Sequence, residues 1–158
     1  MPERGTEITS EELEDWRQRH IGRVFLQAHR DFSGCAITKL RARGHSDLGS
    51  THTALLPHID LTGTRTTLLA ERSGITKQAA GQIAADLERL GYVARAADPS
   101  DQRATLVTFT PLGWQFLRDA HEIKREMEAE YADVLGEAGL QMLKDALVSL
   151  LQASPHTV

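Results

Sequence analysis

The stretch from Arg65 to Thr110, RTTLLAERSGITKQAAGQIAADLERLGYVARAADPSDQRATLVTFT, constrains the fold more than any other part of this chain. Leu68, Leu69 and Ala70 share the inner side of a helix predicted over residues 65–73, with Thr64 as its cap. Gly74 ends it, because the turn into a following helix commonly needs a positive φ that glycine adopts at little cost. Thr76 caps a second helix over residues 77–90, closed by Gly91, with Ala80, Ile83, Ala84, Leu87 and Leu90 facing inward. YVARAA and residues 105–109 then read as two strands around the polar turn DPSDQR. Helix, tight turn, helix and hairpin in that order make a winged helix-turn-helix over residues 50–110.

The flanks read as amphipathic helix. After a polar lead of residues 1–8, apolar side chains recur from Leu13 and Trp16 through Phe25 and Phe32 to Leu40, which predicts one helix over residues 9–43. Ser10, followed by Glu11 and Glu12, is its expected N-cap. At about 1.5 Å per residue it would span roughly 50 Å, a length that usually packs on a partner. Residues 44–49 form a loop, and Pro57 should kink or end a short helix over residues 50–59. Thr110 caps and Pro111 opens another helix, expected to run to about Leu135. A final helix carries Leu140, Leu143, Leu147, Leu150 and Leu151 close to heptad spacing.

Length and composition place the chain as one domain of 158 residues with enough apolar content, 41%, to bury a core. No apolar run approaches the ~18 residues of a membrane span and no secretory segment opens the chain, so a cytoplasmic protein without a membrane partner is expected. Cys35 is the single cysteine and excludes an intrachain disulfide. The net charge of −4 is unevenly spread. Residues 62–110 hold six basic against five acidic side chains, whereas residues 111–158 hold four against eight. The negative excess thus lies in the last helices, away from the helix-turn-helix. A +1 segment predicts few phosphate contacts and a modest salt dependence.

The side of the second helix opposite its apolar set carries Lys77, Gln78, Gly81, Gln82 and Ala85, next to the capping Thr76. Gln78 and Gln82 can each offer a donor and an acceptor to a base edge, with adenine the usual match. Lys77 can meet guanine or a phosphate, and Gly81 removes bulk so that the backbone can sit deep in a major groove. Arg103 stands at the wing tip, where its planar fork suits a narrow minor groove. Asp101 would repel phosphate, so its expected task is to hydrogen-bond Arg103 and fix its orientation. Arg65, Thr66, Arg72 and Arg95 are candidate phosphate contacts.

LAERSGITKQAAGQIAADLERLGYV, the wing DPSDQR and LVTFTPLG together resemble the MarR family of winged-helix regulators over nearly the whole chain. The resemblance implies a single mainly α domain over residues 1–158, with a small two-stranded wing and long dimerisation helices over residues 9–43 and 112–153. It further implies a homodimer reading a pseudo-palindromic operator in double-stranded DNA, mostly as a repressor, and release by a small aromatic or phenolic effector. The interface would draw on Trp16, Leu140, Leu143, Leu147 and Leu150. Phe32, Trp114 and Phe116, with Trp16, are the aromatic residues that could line an effector pocket.

Other chemistries find less support. A reactive thiolate needs nearby cations or a helix N-terminus, whereas Cys35, mid-helix among Phe32 and Leu40, reads as a small buried hydrophobe and not a redox switch. His52 and His58 do not share a helix face, and no histidine pair has metal-binding spacing, so neither metal nor cofactor is expected. No nucleophile elbow, phosphate loop or metalloprotease motif occurs, which argues against an enzyme. The competing readings are a winged-helix docking module and a small-molecule sensor that does not bind DNA. Arg103 at the wing tip and the outward Gln78 and Gln82 are features protein docking would not require, and retardation of promoter DNA by the chain and by Arg103→Ala separates the sensor as well.

Overall fold

The computed structural model describes residues 8–153; most of the polar lead, residues 1–7, lies outside them. These residues fall into two compact units that divide between Cys35 and Ala36.

In the first unit, α1 (Ser10–Arg19) is capped by Thr9 and not by Ser10. The Thr9 hydroxyl accepts the Glu12 N–H at 3.2 Å, and the Glu12 carboxylate accepts the Thr9 N–H at 2.9 Å. This reciprocal pair satisfies two amides that a helix start would otherwise leave bare, which is more than Ser10 could do one position later. The single helix expected over residues 9–43 is in fact two. His20 is extended, at φ −61° and ψ 134°, between α1 and α2 (Ile21–Ala42). Its ring Nδ1 accepts the Gly22 N–H at 3.2 Å, which gives the backbone an alternative to another helical bond, and the ring centroid lies 4.6 Å from that of Trp16. The apolar spacing survives the break because only one residue leaves the helix.

The second unit is built around the helix-turn-helix. Pro57 acts as its ring demands: α3 (Ser50–Leu55) gives way to a 3-10 turn at Leu56–His58. Thr64 does not cap the next helix. Its hydroxyl accepts the Asp60 N–H at 2.7 Å and closes the preceding loop, so α4 (Thr66–Ser73) starts after Arg65. Gly74 ends α4 at φ 63°, and Thr76 caps α5 (Lys77–Arg89) by accepting the Ala79 N–H at 3.1 Å.

Strands β1 (Thr64–Arg65), β2 (Val93–Asp98) and β3 (Asp101–Phe109) form an antiparallel sheet in the order β1-β3-β2. The two expected wing strands are present, and a two-residue strand joins them. DPSDQR is not all turn: Asp98 ends one strand and Asp101 to Arg103 begin the next, leaving Pro99 and Ser100 at the bend. The register shifts between Ala97 and Asp98 as the strands close.

Thr110 then accepts the Gly113 N–H at 3.2 Å and Pro111 opens α6 (Pro111–Ala153). Gly136, at φ 73° and ψ 156°, leaves helical geometry inside that span and separates the two helices the sequence predicts. A Cβ on Gly113 would lie 2.1 Å from the Tyr92 carbonyl, so only glycine lets α6 start this close to β2. Leu55, Leu56, Leu69, Leu87, Val107 and Ile123 are among the core side chains and are all but inaccessible.

Candidate nucleic-acid interface

The outward side of α5 follows from what the helix must bury. Ala80, Ala84 and Leu87 are fully covered, which turns Lys77, Gln78 and Gln82 to solvent. Gly81 and Ala85 lie half-buried between them. A Cβ on Gly81 would meet nothing nearer than the Thr66 methyl at 4.0 Å, so packing does not require glycine there. Thr76 begins this surface, but its hydroxyl oxygen is taken up by the cap.

The cations of residues 62–110 divide sharply. Arg65 pairs with Asp98 at 2.6 Å, Arg72 with Asp60 at 3.0 Å, Arg89 with Asp86 at 2.8 Å and Arg95 with Glu88 at 2.8 Å. Lys77 and Arg103 have no ion pair among the described residues, and both are exposed. Arg65, Arg72 and Arg95, expected as phosphate contacts, thus have internal partners. Carboxylates within reach hold each guanidinium before any external anion arrives. Thr66, another such candidate, donates its hydroxyl to the Thr105 carbonyl at 3.3 Å.

Wing geometry corrects one expectation. Asp101 does not bind the Arg103 guanidinium: its carboxylate accepts the Arg103 main-chain N–H at 3.1 Å. A carboxylate two residues ahead of an amide reaches the backbone more easily than the end of a long side chain. Asp98 does more than the sequence reading gave it. It is 7% exposed, and its carboxylate accepts the Ser100 hydroxyl and N–H, each at 2.7 Å, and Arg65 Nε at 2.6 Å. The two Ser100 hydrogen bonds, then Arg65, bring its pKa down to about 2.

A buried polar cluster behind the helix-turn-helix was not foreseen. His45, 2% exposed, places Nδ1 2.9 Å from the Tyr92 hydroxyl and Nε2 2.9 Å from the Asp119 carboxylate. Phe116 meets both rings edge-on, with centroids 5.6 Å from His45 and 6.1 Å from Tyr92. Burial alone would raise the Asp119 pKa, but hydrogen bonds from His45 and Gln115 outweigh it and the net shift is downward. The cluster joins the α2–α3 loop, the start of β2 and α6. Its partners are 47 and 74 residues from His45, beyond any local sequence signal.

Phe116, expected among the pocket residues, is 4% exposed and its ring packs in the core. Trp114 remains 38% exposed in α6, and Phe32 is 39% exposed in the first unit. Leu140, expected at a subunit interface, is already buried within its own chain at 8% exposure. Leu143, Leu147 and Leu150 stay accessible, as does Trp16 in the first unit. Among the described residues, no helix is long and apolar enough to cross a membrane.

Comparison with known proteins agrees with this fold. Residues 46–104 match the model described as the MarR family. No curated protein matches the sequence. Among solved structures, a MarR transcriptional regulator from Methanosarcina mazei Go1 superposes with a TM-score of 0.71 at 21% identity, covering 84% of this chain and 94% of that one. The transcriptional regulator BldR from Sulfolobus solfataricus gives 0.67 at 22% identity, covering 88% and 97%. CouR from Rhodococcus jostii RHA1, bound to p-coumaroyl-CoA, gives 0.67 at 22% identity, covering 89% and 96%.

Proposed function

Residues 46–104 match the MarR family model and fold as a winged helix-turn-helix, and from that premise we propose that the chain is a MarR-type, sequence-specific regulator of transcription that binds double-stranded DNA as a homodimer. One observation carries the reading. Of the six cations in residues 62–110, the two without an ion pair among the described residues are Lys77, beside Gln78 and Gln82 on α5, and Arg103 on the wing. A surface serving only to dock a protein has no need of that division. Lys77, Gln78 and Gln82 read base edges in a major groove, the half-buried Gly81 lets the helix backbone approach, and Arg103 enters the adjacent minor groove. Thr76 and Asp101 serve by holding the helix start and the Arg103 backbone.

The exposed Leu143, Leu147 and Leu150, with Trp16 in the first unit, supply apolar surface for self-association. Two subunits related by a twofold axis then present two α5 helices to the half-sites of a pseudo-palindromic operator. Repression follows where that operator overlaps a promoter, which puts the working protein in the cytoplasm. Release by a small effector is part of the same reading. CouR is bound to p-coumaroyl-CoA, so aromatic acids and their CoA thioesters are the first effectors to try.

The test is retardation of DNA from the chain's own promoter region. Arg103→Ala should strongly weaken the shift. Gln82→Ala should cost about 1–3 kcal/mol at one base position and relax selectivity there. Equal loss on every sequence would reduce Gln82 to a backbone contact, and an undiminished shift with Arg103→Ala would remove the wing from the interface.

A further inference from the structure

The wing is tied to the start of α4 by a closed ring of polar contacts. Arg65 Nε donates to Asp98 Oδ2 at 2.6 Å, and Arg65 Nη2 donates to the Ser100 hydroxyl at 3.0 Å. That hydroxyl donates in turn to Asp98 Oδ1 at 2.7 Å, and the Ser100 N–H reaches the same oxygen at 2.7 Å. Arg65 ends β1 and is the residue immediately before α4. Asp98 ends the strand before the wing bend, and Ser100 lies in the bend itself. The ring therefore joins segments 33 and 35 residues apart, in addition to the Arg65↔Leu106 pairing of β1 with β3.

We propose that Arg65, Asp98 and Ser100 form a latch that fixes the wing bend against the helix-turn-helix, so that Arg65 and Asp98 are positioning residues for Arg103 and not phosphate contacts. The inference rests on the DNA-binding reading for its consequence, though not for its geometry.

Three features support it. Arg65 spends two donor groups inside the chain. Asp98 is buried at 7% exposure in an otherwise exposed bend, where Pro99 and Ser100 are both accessible. The bend also coincides with the shift in register between Ala97 and Asp98, where the regular strand ladder no longer sets the direction of the chain. Immediately beyond it, Asp101 takes the Arg103 N–H at 3.1 Å. The direction in which β3 leaves the bend, and with it the aim of Arg103, thus depends on side-chain bonds to Asp98.

A double-mutant cycle on operator DNA tests the latch. Asp98→Asn should weaken binding about tenfold in the wild-type background, yet no more than about twofold when Arg103→Ala is already present. Arg65→Gln should repeat that pattern, with the melting temperature of each variant serving as a check on the fold. Equal losses in both backgrounds, or no loss in either, would overturn the proposal.

Amide hydrogen exchange on the DNA-free protein supplies a second readout. Asp98→Asn should speed exchange at Ser100 and Arg103 while leaving α5 protected. If the wild-type chain binds no DNA, the regulatory reading fails and exchange alone decides the latch: faster exchange upholds it, unchanged exchange overturns it.

Discussion

The helix-turn-helix with its wing and the helix that follows Gly136 solve the same folding problem to different degrees. In the first, Leu69, Ala80, Ala84, Leu87 and Val107 are essentially sealed and four of six cations are neutralised by nearby carboxylates. What remains outside is a small polar set on α5 and the wing. In the second, Leu140 is buried, while Met142 is 71% and Leu151 71% exposed, with Leu143, Leu147, Val148 and Leu150 also accessible. At about 25 cal/mol per Å2, covering such a surface yields substantial free energy that a lone chain forgoes. The difference teaches that the unsatisfied surfaces have opposite chemistry. One offers hydrogen bonds and two cations without an ion pair among the described residues, suited to a polyanion; the other offers aliphatic side chains, suited to a second copy.

The contrast can be broken most forcefully at the apolar end. Leu143→Lys together with Leu147→Lys should cost self-association about 4 kcal/mol or more, read as a drop to monomer mass in sedimentation at micromolar concentration. An unchanged dimer would put the interface elsewhere. Within the helix-turn-helix unit, two glycines separate packing from function. Gly113→Ala forces a Cβ to 2.1 Å from the Tyr92 carbonyl and 2.8 Å from Phe109, and should cost about 3 kcal/mol in urea unfolding. Gly81→Ala meets only the Thr66 methyl, at an ordinary contact distance of 4.0 Å, so it should gain about 0.5–1 kcal/mol of stability while weakening DNA binding. A stable variant with full affinity would show that DNA does not approach that backbone.

The smallest effect concerns acid. The folded-state pKa of Asp98, about 2, lies below its ordinary value of 3.8, so the unfolded chain takes up this proton more readily. The stability it contributes is complete above about pH 4 and is lost as pH falls toward 2. Wild type should therefore lose more stability than Asp98→Asn between those two pH values. Parallel losses would mean that the carboxylate is not held as the structure has it.

Signals confined to a few residues were readable in the sequence. Thr76, Gly74, Thr110 and Pro111 mark helix ends through bonds spanning one turn, and each acts as its position indicates. The Thr9 box was equally local, since Thr9 and Glu12 stand three apart, and Ser10 was simply the nearer-looking cap. The fate of the arginines was less legible. Whether Arg65 faces a phosphate or Asp98 is decided by strand register across 33 residues, and the charge count of the segment is the same either way. The polar cluster of His45, Tyr92 and Asp119 was hidden for the same reason, because it exists only once α6 packs beside the α2–α3 loop. Local chemistry names the candidates in this chain; tertiary pairing decides which remain available.

That sorting of cations is the claim on which the functional account turns, and the salt dependence of operator binding measures it. The slope of log K against log salt counts the cations that displace counterions from DNA, at about 0.9 per contact. With one wing per subunit, Arg103→Ala should reduce the slope by about 2, whereas Arg72→Gln, whose guanidinium is held by Asp60, should leave it nearly unchanged. A slope that responds to Arg72 and ignores Arg103 would contradict the account.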